Sequence, residues 1–233
     1  MIIYGRNIAK EYLENNNFIK KIYLQVGFSD KKIISLIENR KIQVQYLEKN
    51  KIDSLCSGLH QGILLDVSDY EYTSFTSFLN NNEEKVVVLD HIEDPHNLGA
   101  IIRTCEAAGI KSIIIPKDRQ VQVNATVMKT SVGTLNNVKV VQVTSLANTI
   151  DLLKSVGYWI VGTALTDNSV DYRDIDYDGK IALIIGNEGI GMSKLVTKKC
   201  DFIAKIPMYG KTNSLNASVA AGIMIYEMIR NRK

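Results

Sequence analysis

KVVVLDHIEDPHNLGAIIRTCEAAGIKSIIIP, residues 85–116, sets the architecture. It opens and closes on short apolar runs, KVVVLD (85–90) and KSIIIP (111–116). Such runs mark strands covered on both faces, as in a parallel sheet. Between them Leu98, Ile101, Ile102, Cys105 and Ala108 recur at helical spacing. Strand, helix, strand over about thirty residues is the repeating unit of an α/β sheet.

The same signal continues towards the C-terminus. VKVVQV (138–143), YWIVGTAL (158–165), KIALIIG (180–186) and FIAKIP (202–207) are further apolar runs. Ala147, Ile150, Leu153 and Lys154, closed by Gly157, space another helix. A doubly wound, mostly parallel sheet flanked by helices follows, with ligands expected at the carboxyl ends of its strands. ASVAAGIMIYEMI, in a helix expected over about 217–231, is apolar almost all round. Such a helix is buried on every side. The spacing predicts a homodimer that buries it, with a fully covered core helix as the other reading.

Towards the N-terminus the pattern is looser. Ile8, Tyr12 and Leu13 space a helix, IKKIYLQV (19–26) reads as a strand and DKKIISLIENR (30–40) as a helix. IQVQYL (42–47) alternates, KNKIDSLCSG (49–58) reads as a short helix and GILLDV (62–67) as a strand. These make a small α/β domain over 1–68. SDYEYTSFTSFLNNNEE (68–84) is polar and acidic, giving a linker over 69–84, or else a surface strand and a short helix. The main domain runs over 85–233.

Composition narrows the class. Of 233 residues, 45% are hydrophobic and 23% charged, which excludes wholesale disorder. Cys56, Cys105 and Cys200 are odd in number and form no CxxC, so neither a disulfide framework nor a thiolate metal site is expected, and a reducing cytoplasm suits the chain. MIIYGRNIAKEYLENN carries charges where a signal peptide needs an apolar stretch, and no apolar run is long enough to span a membrane. The net charge of +3 is uneven: residues 1–68 hold 10 Lys and Arg against 7 Asp and Glu, which leaves 18 against 18 elsewhere. The excess hints at an anionic partner for the first domain.

Three strand ends carry concentrated polar or glycine-rich sequence. In DHIEDPHNLGAIIRT (90–104), Asp90 closes a buried strand and Asn97 stands where the helix begins, able to cap it. At about 100° per residue from Leu98, Arg103 falls opposite the apolar stripe and points away from the sheet. Taken singly, a cap and a solvated cation explain both residues as well as a site does. His91 and His96 match no metal-ligand spacing and no HExxH occurs, so no metal is expected. GNEGIGMS (186–193) follows a late strand, reads GxxGxG, and has Ile206 where a dinucleotide site needs an acid, which excludes NAD. Glu188 stands in that loop as an acceptor. In IPMYGKTNSLNAS (206–218), Gly210-Lys211-Thr212 imitates a P-loop tail, but Lys205 occupies the place of its first glycine. What remains is a polar loop in which Ser214 or Asn216 caps the last helix. Three such loops at neighbouring strand ends would line a single crevice.

Together the loops are identified by resemblance. NLGAIIR (97–103), LIIGNEGIGM (183–192) and IPMYGKTNSLNASVAAGI (206–223) resemble the three motifs of the SpoU (TrmH-type) ribose methyltransferases of the SPOUT superfamily. YGRNIAKEYLE (4–14) and HQGILLDV (60–67) are similar to the opening and closing phrases of the small substrate-binding domain of many bacterial members. The resemblance implies S-adenosylmethionine as cofactor, a 2′-O-methylated ribose in RNA as product, a C-terminal trefoil knot, and an active site at the seam of a homodimer. It implies Asn97, Arg103, Glu188, Ser214 and Asn216 as catalytic residues, with Arg103 central. Thr163, Gly186, Gly191, Ile206, Met208 and Leu215 would hold the cofactor. The N-terminal domain would bind RNA with Lys20, Lys21, Lys31 and Lys32. A guanosine in 23S rRNA is the implied target; a tRNA ribose and a non-catalytic RNA-binding assembly factor are the alternatives.

Overall fold

The computed structural model describes residues 1–56 and 58–231. Ser57, within the expected helix 49–58, and the last two residues of the expected main domain lie outside the described residues. The chain forms two compact units, residues 1–71 with 123–133, and 72–122 with 134–233.

The first unit runs β1 (Ile2–Tyr4), α1 (Arg6–Glu14), β2 (Ile19–Gln25), α2 (Lys31–Arg40), β3 (Val44–Leu47), α3 (Lys49–Asp53) and β4 (Ile63–Val67). Its sheet has the order β1-β4-β2-β3; β4 is antiparallel to β1 and β2, and β3 is parallel to β2. Alternation puts Ile22 and Leu24 of β2 and Ile63, Leu65 and Val67 of β4 on one buried face, and Leu64 is buried on the other; Ile33 and Ile37 of α2 are buried too. Asp30 starts α2 by accepting from the amides of Lys32 and Ile33, both at 3.2 Å.

The second unit begins with α4 (Phe75–Asn80), in the stretch expected as a linker or as a strand and short helix. Thr73 makes a parallel bridge to Val141, Ser74 caps the helix, and Phe78 is fully buried. Then follow β5 (Lys85–Asp90), α5 (Pro95–Ala107) and β6 (Ser112–Pro116). The next helix, α6 (Ala125–Ser131), belongs to the first unit and packs on β1. The sheet resumes with β7 (Lys139–Val143), α7 (Leu146–Ser155), β8 (Trp159–Thr163), β9 (Val170–Asp171), β10 (Ile181–Gly186), α8 (Lys194–Lys199), β11 (Phe202–Lys205) and α9 (Ala217–Met228).

All seven strands of the second sheet are parallel, in the order β7-β6-β5-β10-β8-β11-β9. The late strand β10 is inserted between β5 and β8, and all its residues but Gly186 are buried. One face packs Val88, Ile114, Val141, Ile160 and Ile184 with Phe78, Ile150, Leu153 and Val196 of α4, α7 and α8. On α9, which packs against α5 and β10, Ala217, Ala221, Met224, Ile225 and Met228 are buried. Val219 and Tyr226 on the same helix stay 50% and 53% exposed, so the chain by itself does not cover α9 all round.

Candidate active site

The carboxyl ends of β8, β10 and β11 open on one cavity of about 400 Å³. Thr163 and Leu165 line it after β8, Gly186 to Gly191 after β10, and Ile206 and Met208 after β11. Asn213, Ser214 and Leu215 complete the wall with Ala217 and Ala220 of α9. That size lies in the range of small-ligand sites. The charged residues on its lining are Glu188 and Lys205.

The glycine-rich loop is held by its backbone. A Cβ on Gly186 would stand 2.4 Å from the Met192 amide nitrogen and 2.5 Å from the Gly191 carbonyl carbon, so no larger residue fits without moving the chain. Asn187 and Gly191 exchange backbone hydrogen bonds at 3.1 and 2.9 Å. The Asn187 side-chain oxygen accepts from the amides of Gly189 and Ile190, and its nitrogen donates to the His91 carbonyl at 2.7 Å. Thr163 Oγ1 donates to the Ile184 carbonyl at 3.0 Å, tying the end of β8 to β10.

Beneath this loop lies Asp90, whose side chain is 0% exposed. Its Oδ2 accepts from the Ser193 amide at 2.7 Å, and its Oδ1 stands 2.5 Å from His91 Nδ1. An ionised carboxylate can only accept, so that imidazole nitrogen carries the proton. The end of β5 thus grips both ends of the loop, at Ser193 directly and at Asn187 through His91.

The structure gathers Thr163, Gly186, Glu188, Gly191, Ile206, Met208, Ser214 and Leu215 around the cavity. Asn97 is placed differently from the expected cap. Helix α5 starts at Pro95, and Asp94 caps it by accepting from the His96 amide at 2.8 Å. Proline suits the first helical position because its missing N–H would have no partner there. Asn97 therefore lies inside the helix, 5% exposed, and its Nδ2 donates to Glu188 Oε1 at 2.7 Å. Asn216 caps α9, accepting from Ser218 and Val219 amides and from Ser218 Oγ at 2.6 Å. Ser214 is exposed at the cavity lip. Arg103 is exposed on α5 and lines no part of the cavity, and its side chain makes no hydrogen bond or ion pair with any described residue.

Asn187, Ile190 and Leu165 line or shape the cavity and were not singled out in the sequence, whereas Asn213, on the lining too, belongs to the polar loop expected before the last helix. Asn187 lay between Gly186 and Glu188, where a polar residue in a glycine loop was signal enough. Burial pushes the Cys200 thiol up to about 12 and the Cys105 thiol higher, so neither supplies a thiolate. Hydrogen bonds from Arg173 hold the Asp171 carboxyl down at about 2. A second hollow, about 600 Å³, opens beside Glu84, Lys85, Lys111 and Gly179 at the amino ends of the strands, away from every expected site residue. Among the described residues no group of three or more His, Cys, Asp or Glu is placed to hold a metal, and no helix is long and apolar enough to cross a membrane.

Comparison with known proteins agrees with this geometry. Residues 84–226 match the SpoU rRNA Methylase family, and residues 2–73 match a domain described as RNA 2'-O ribose methyltransferase substrate binding. A protein of Staphylococcus haemolyticus named as a TrmH family tRNA/rRNA methyltransferase is 47% identical over 240 residues, covering 100% of this chain and 96% of the relative. The AdoMet-bound rRNA methyltransferase from Sinorhizobium meliloti superposes with a TM-score of 0.79 at 25% identity, over 100% of this chain and 87% of that one. The SpoU methyltransferase AviRb from Streptomyces viridochromogenes, with AdoMet, shares the fold at a TM-score of 0.78 and 23% identity, over 100% and 90% of the two chains. A parallel sheet whose late strand ends build one glycine-walled cavity, together with these matches over both units, places the chain in the SpoU (TrmH-type) family of RNA methyltransferases.

Proposed function

We propose that this protein transfers a methyl group from S-adenosylmethionine to a ribose 2′-hydroxyl of rRNA, with a guanosine of 23S rRNA as the target. The observation that carries the reading is the convergence of three strand ends on one cavity walled by Gly186, Gly191 and Leu215. At Gly191, on the cavity wall, the place a Cβ would take is open, so a ligand edge can approach the backbone there. The cavity volume and the Glu188 carboxylate suit a cationic sulfonium cofactor. A ribose in tRNA is the second reading, favoured by relatives whose name covers both RNAs.

In this mechanism Thr163, Gly186, Ile206 and Leu215 would hold the cofactor, with Gly191 and Met208 on the same cavity wall. When bound, S-adenosylmethionine supplies a methyl group on a positive sulfur that is a ready leaving group. The protein has two tasks, alignment of the hydroxyl with that methyl and assistance to a poorly acidic nucleophile. Asn97 fixes Glu188 and with it the glycine loop; Ser214 and Asn216 set the lip where the substrate enters. A guanidinium is by its chemistry a poor base. The charge of Arg103 suits gripping the phosphate beside the target ribose, or lowering the hydroxyl pKa.

Arg103 lines no part of its own chain's cavity, and α9 leaves Val219 and Tyr226 exposed. From these two facts we infer a homodimer through the α5–α9 side, in which each Arg103 serves the partner subunit's cavity. The insertion of β10 between β5 and β8, with α9 returning onto α5, is the strand order from which we infer the C-terminal trefoil knot. The free cysteines fit a reducing cytoplasm. The deciding experiment supplies unmodified 23S rRNA and tRNA transcripts with labelled S-adenosylmethionine and maps ribose methylation. Label in a 23S guanosine supports the reading, label confined to tRNA selects the second, and label in neither refutes both.

A further inference from the structure

We propose that one edge of the first unit is a platform for an unpaired rRNA base and its flanking phosphates; this rests on the RNA reading above. Strands β1, β2 and β3 run one way and β4 the other. The turns after β1 and β2 and the turn before β4 therefore share an edge.

The three turns are packed into one surface. The Arg6 guanidinium lies 5.3 Å over the Phe28 ring. The Arg6 amide donates to Gln61 Oε1 at 2.8 Å, and its Nε donates to the Gln61 carbonyl at 3.3 Å. Phe28 rests on Gly62, where a Cβ would come within 3.0 Å of the ring and where φ is +82. The third turn is braced in its own right: the Gly62 amide donates to His60 Nδ1 at 2.9 Å, so Nε2 carries the proton that faces Asp53 Oδ1 at 2.7 Å.

This surface shows features the fold does not need. Leu59 is 73% exposed and Val26 52% exposed in the turns at this end of the sheet, where Arg6 is already stacked on an aromatic ring. Lys31, Lys32, Lys49 and Lys51 follow on the same edge and are exposed. Asp30 reaches Arg6 only at 3.9 Å, while its Oδ1 caps α2. Apolar and guanidinium faces ringed by lysines are what a splayed-out base with its phosphates requires. Charge favours an anionic partner, because the whole net excess of +3 falls in residues 1–68, and the match of residues 2–73 to an RNA methyltransferase substrate-binding domain makes that partner RNA. The edge also divides the expected lysines: Lys31 and Lys32 belong to it, whereas Lys20 and Lys21 lie at the amino end of β2.

The test uses the full chain and in vitro transcribed, unmodified 23S rRNA. Leu59→Ser, Phe28→Ala and Arg6→Glu should each weaken transcript binding by roughly tenfold, the scale of a lost stacking contact. S-adenosylmethionine affinity by calorimetry should not change. Arg6→Lys should recover only part of the loss, since it restores charge without a planar face. Leu59→Ser decides the matter if Phe28→Ala fails to fold, because Leu59 is largely in solvent. Wild-type affinity in Leu59→Ser and Arg6→Glu overturns the platform, as does a loss confined to Lys20→Glu on the other edge. A wild-type chain that binds no transcript sinks the RNA reading itself, and the platform with it.

Discussion

Replacing Asp90 by Ala should unlatch the cofactor loop. The carboxylate is wholly buried and receives the Ser193 amide at 2.7 Å and His91 Nδ1 at 2.5 Å. Alanine takes the charged acceptor away from two half-buried donors, at about 1–3 kcal/mol each. The expected cost is therefore about 2–6 kcal/mol of unfolding free energy. At roughly 2–4 °C per kcal/mol for a domain of this size, melting falls by at least about 4 °C. Asp90→Asn should cost less: its oxygen still serves Ser193, and its amide can donate to a His91 ring that shifts its proton to Nε2. Calorimetric titration with S-adenosylmethionine is the second readout. Affinity should fall in the order wild type, Asn, Ala, because the loop that carries Gly186 to Gly191 is tied down at Ser193. An alanine variant that melts and binds as wild type would refute the latch. So would an Asn variant as damaged as the Ala one.

Four further outcomes are expected. Gly186→Ala, whose Cβ meets backbone at 2.4 Å, should abolish S-adenosylmethionine binding while the first unit stays folded, checked by calorimetry and by circular dichroism. Arg103→Ala should lose methyl transfer but keep cofactor affinity, and Arg103→Lys should recover little; equal turnover in the alanine variant removes Arg103 from the mechanism. Mixing Arg103→Ala with Gly186→Ala chains should restore activity in the mixed dimer if the site is shared across the seam, and sedimentation should give a dimer mass that Tyr226→Glu halves. Burial raises the Glu11 pKa, and its Oε1 has no hydrogen-bond partner. A raised folded pKa means stability present below the ordinary carboxylate range and lost as pH rises through the folded value. Glu11→Gln should therefore raise the melting temperature at pH 7 and not at pH 4.

Much of this was legible because it is local. The buried strands of the second unit announced themselves as apolar runs, and the three polar loops fell at their ends. What failed to show in the sequence depends on partners distant along the chain. Asn97 looked like a cap because it precedes Leu98; Asp94 and Pro95 make the better start, which frees Asn97 to hold Glu188, 91 residues on. The bond from Ser193 to Asp90 spans 103 residues and leaves no periodic trace. Helix α6 reads as part of the main domain by its place in the chain, yet its packing joins it to β1. Strand β9, two residues long, is too short to carry a pattern.

The position of β10 has a consequence for how the molecule is made. A ribosome delivers β5, β6 and β7, then β8 and β9, before the strand that stands between β5 and β8 exists. Until it arrives, the three-stranded sheet β7-β6-β5 and an unpaired β8 wait with apolar flanks bare, the kind of border that recruits neighbouring chains, and β9 finds its neighbour only when β11 follows. Their union must await residues 181–186, so this unit is expected to fold slowly, late, and with a need for protection that its finished form conceals.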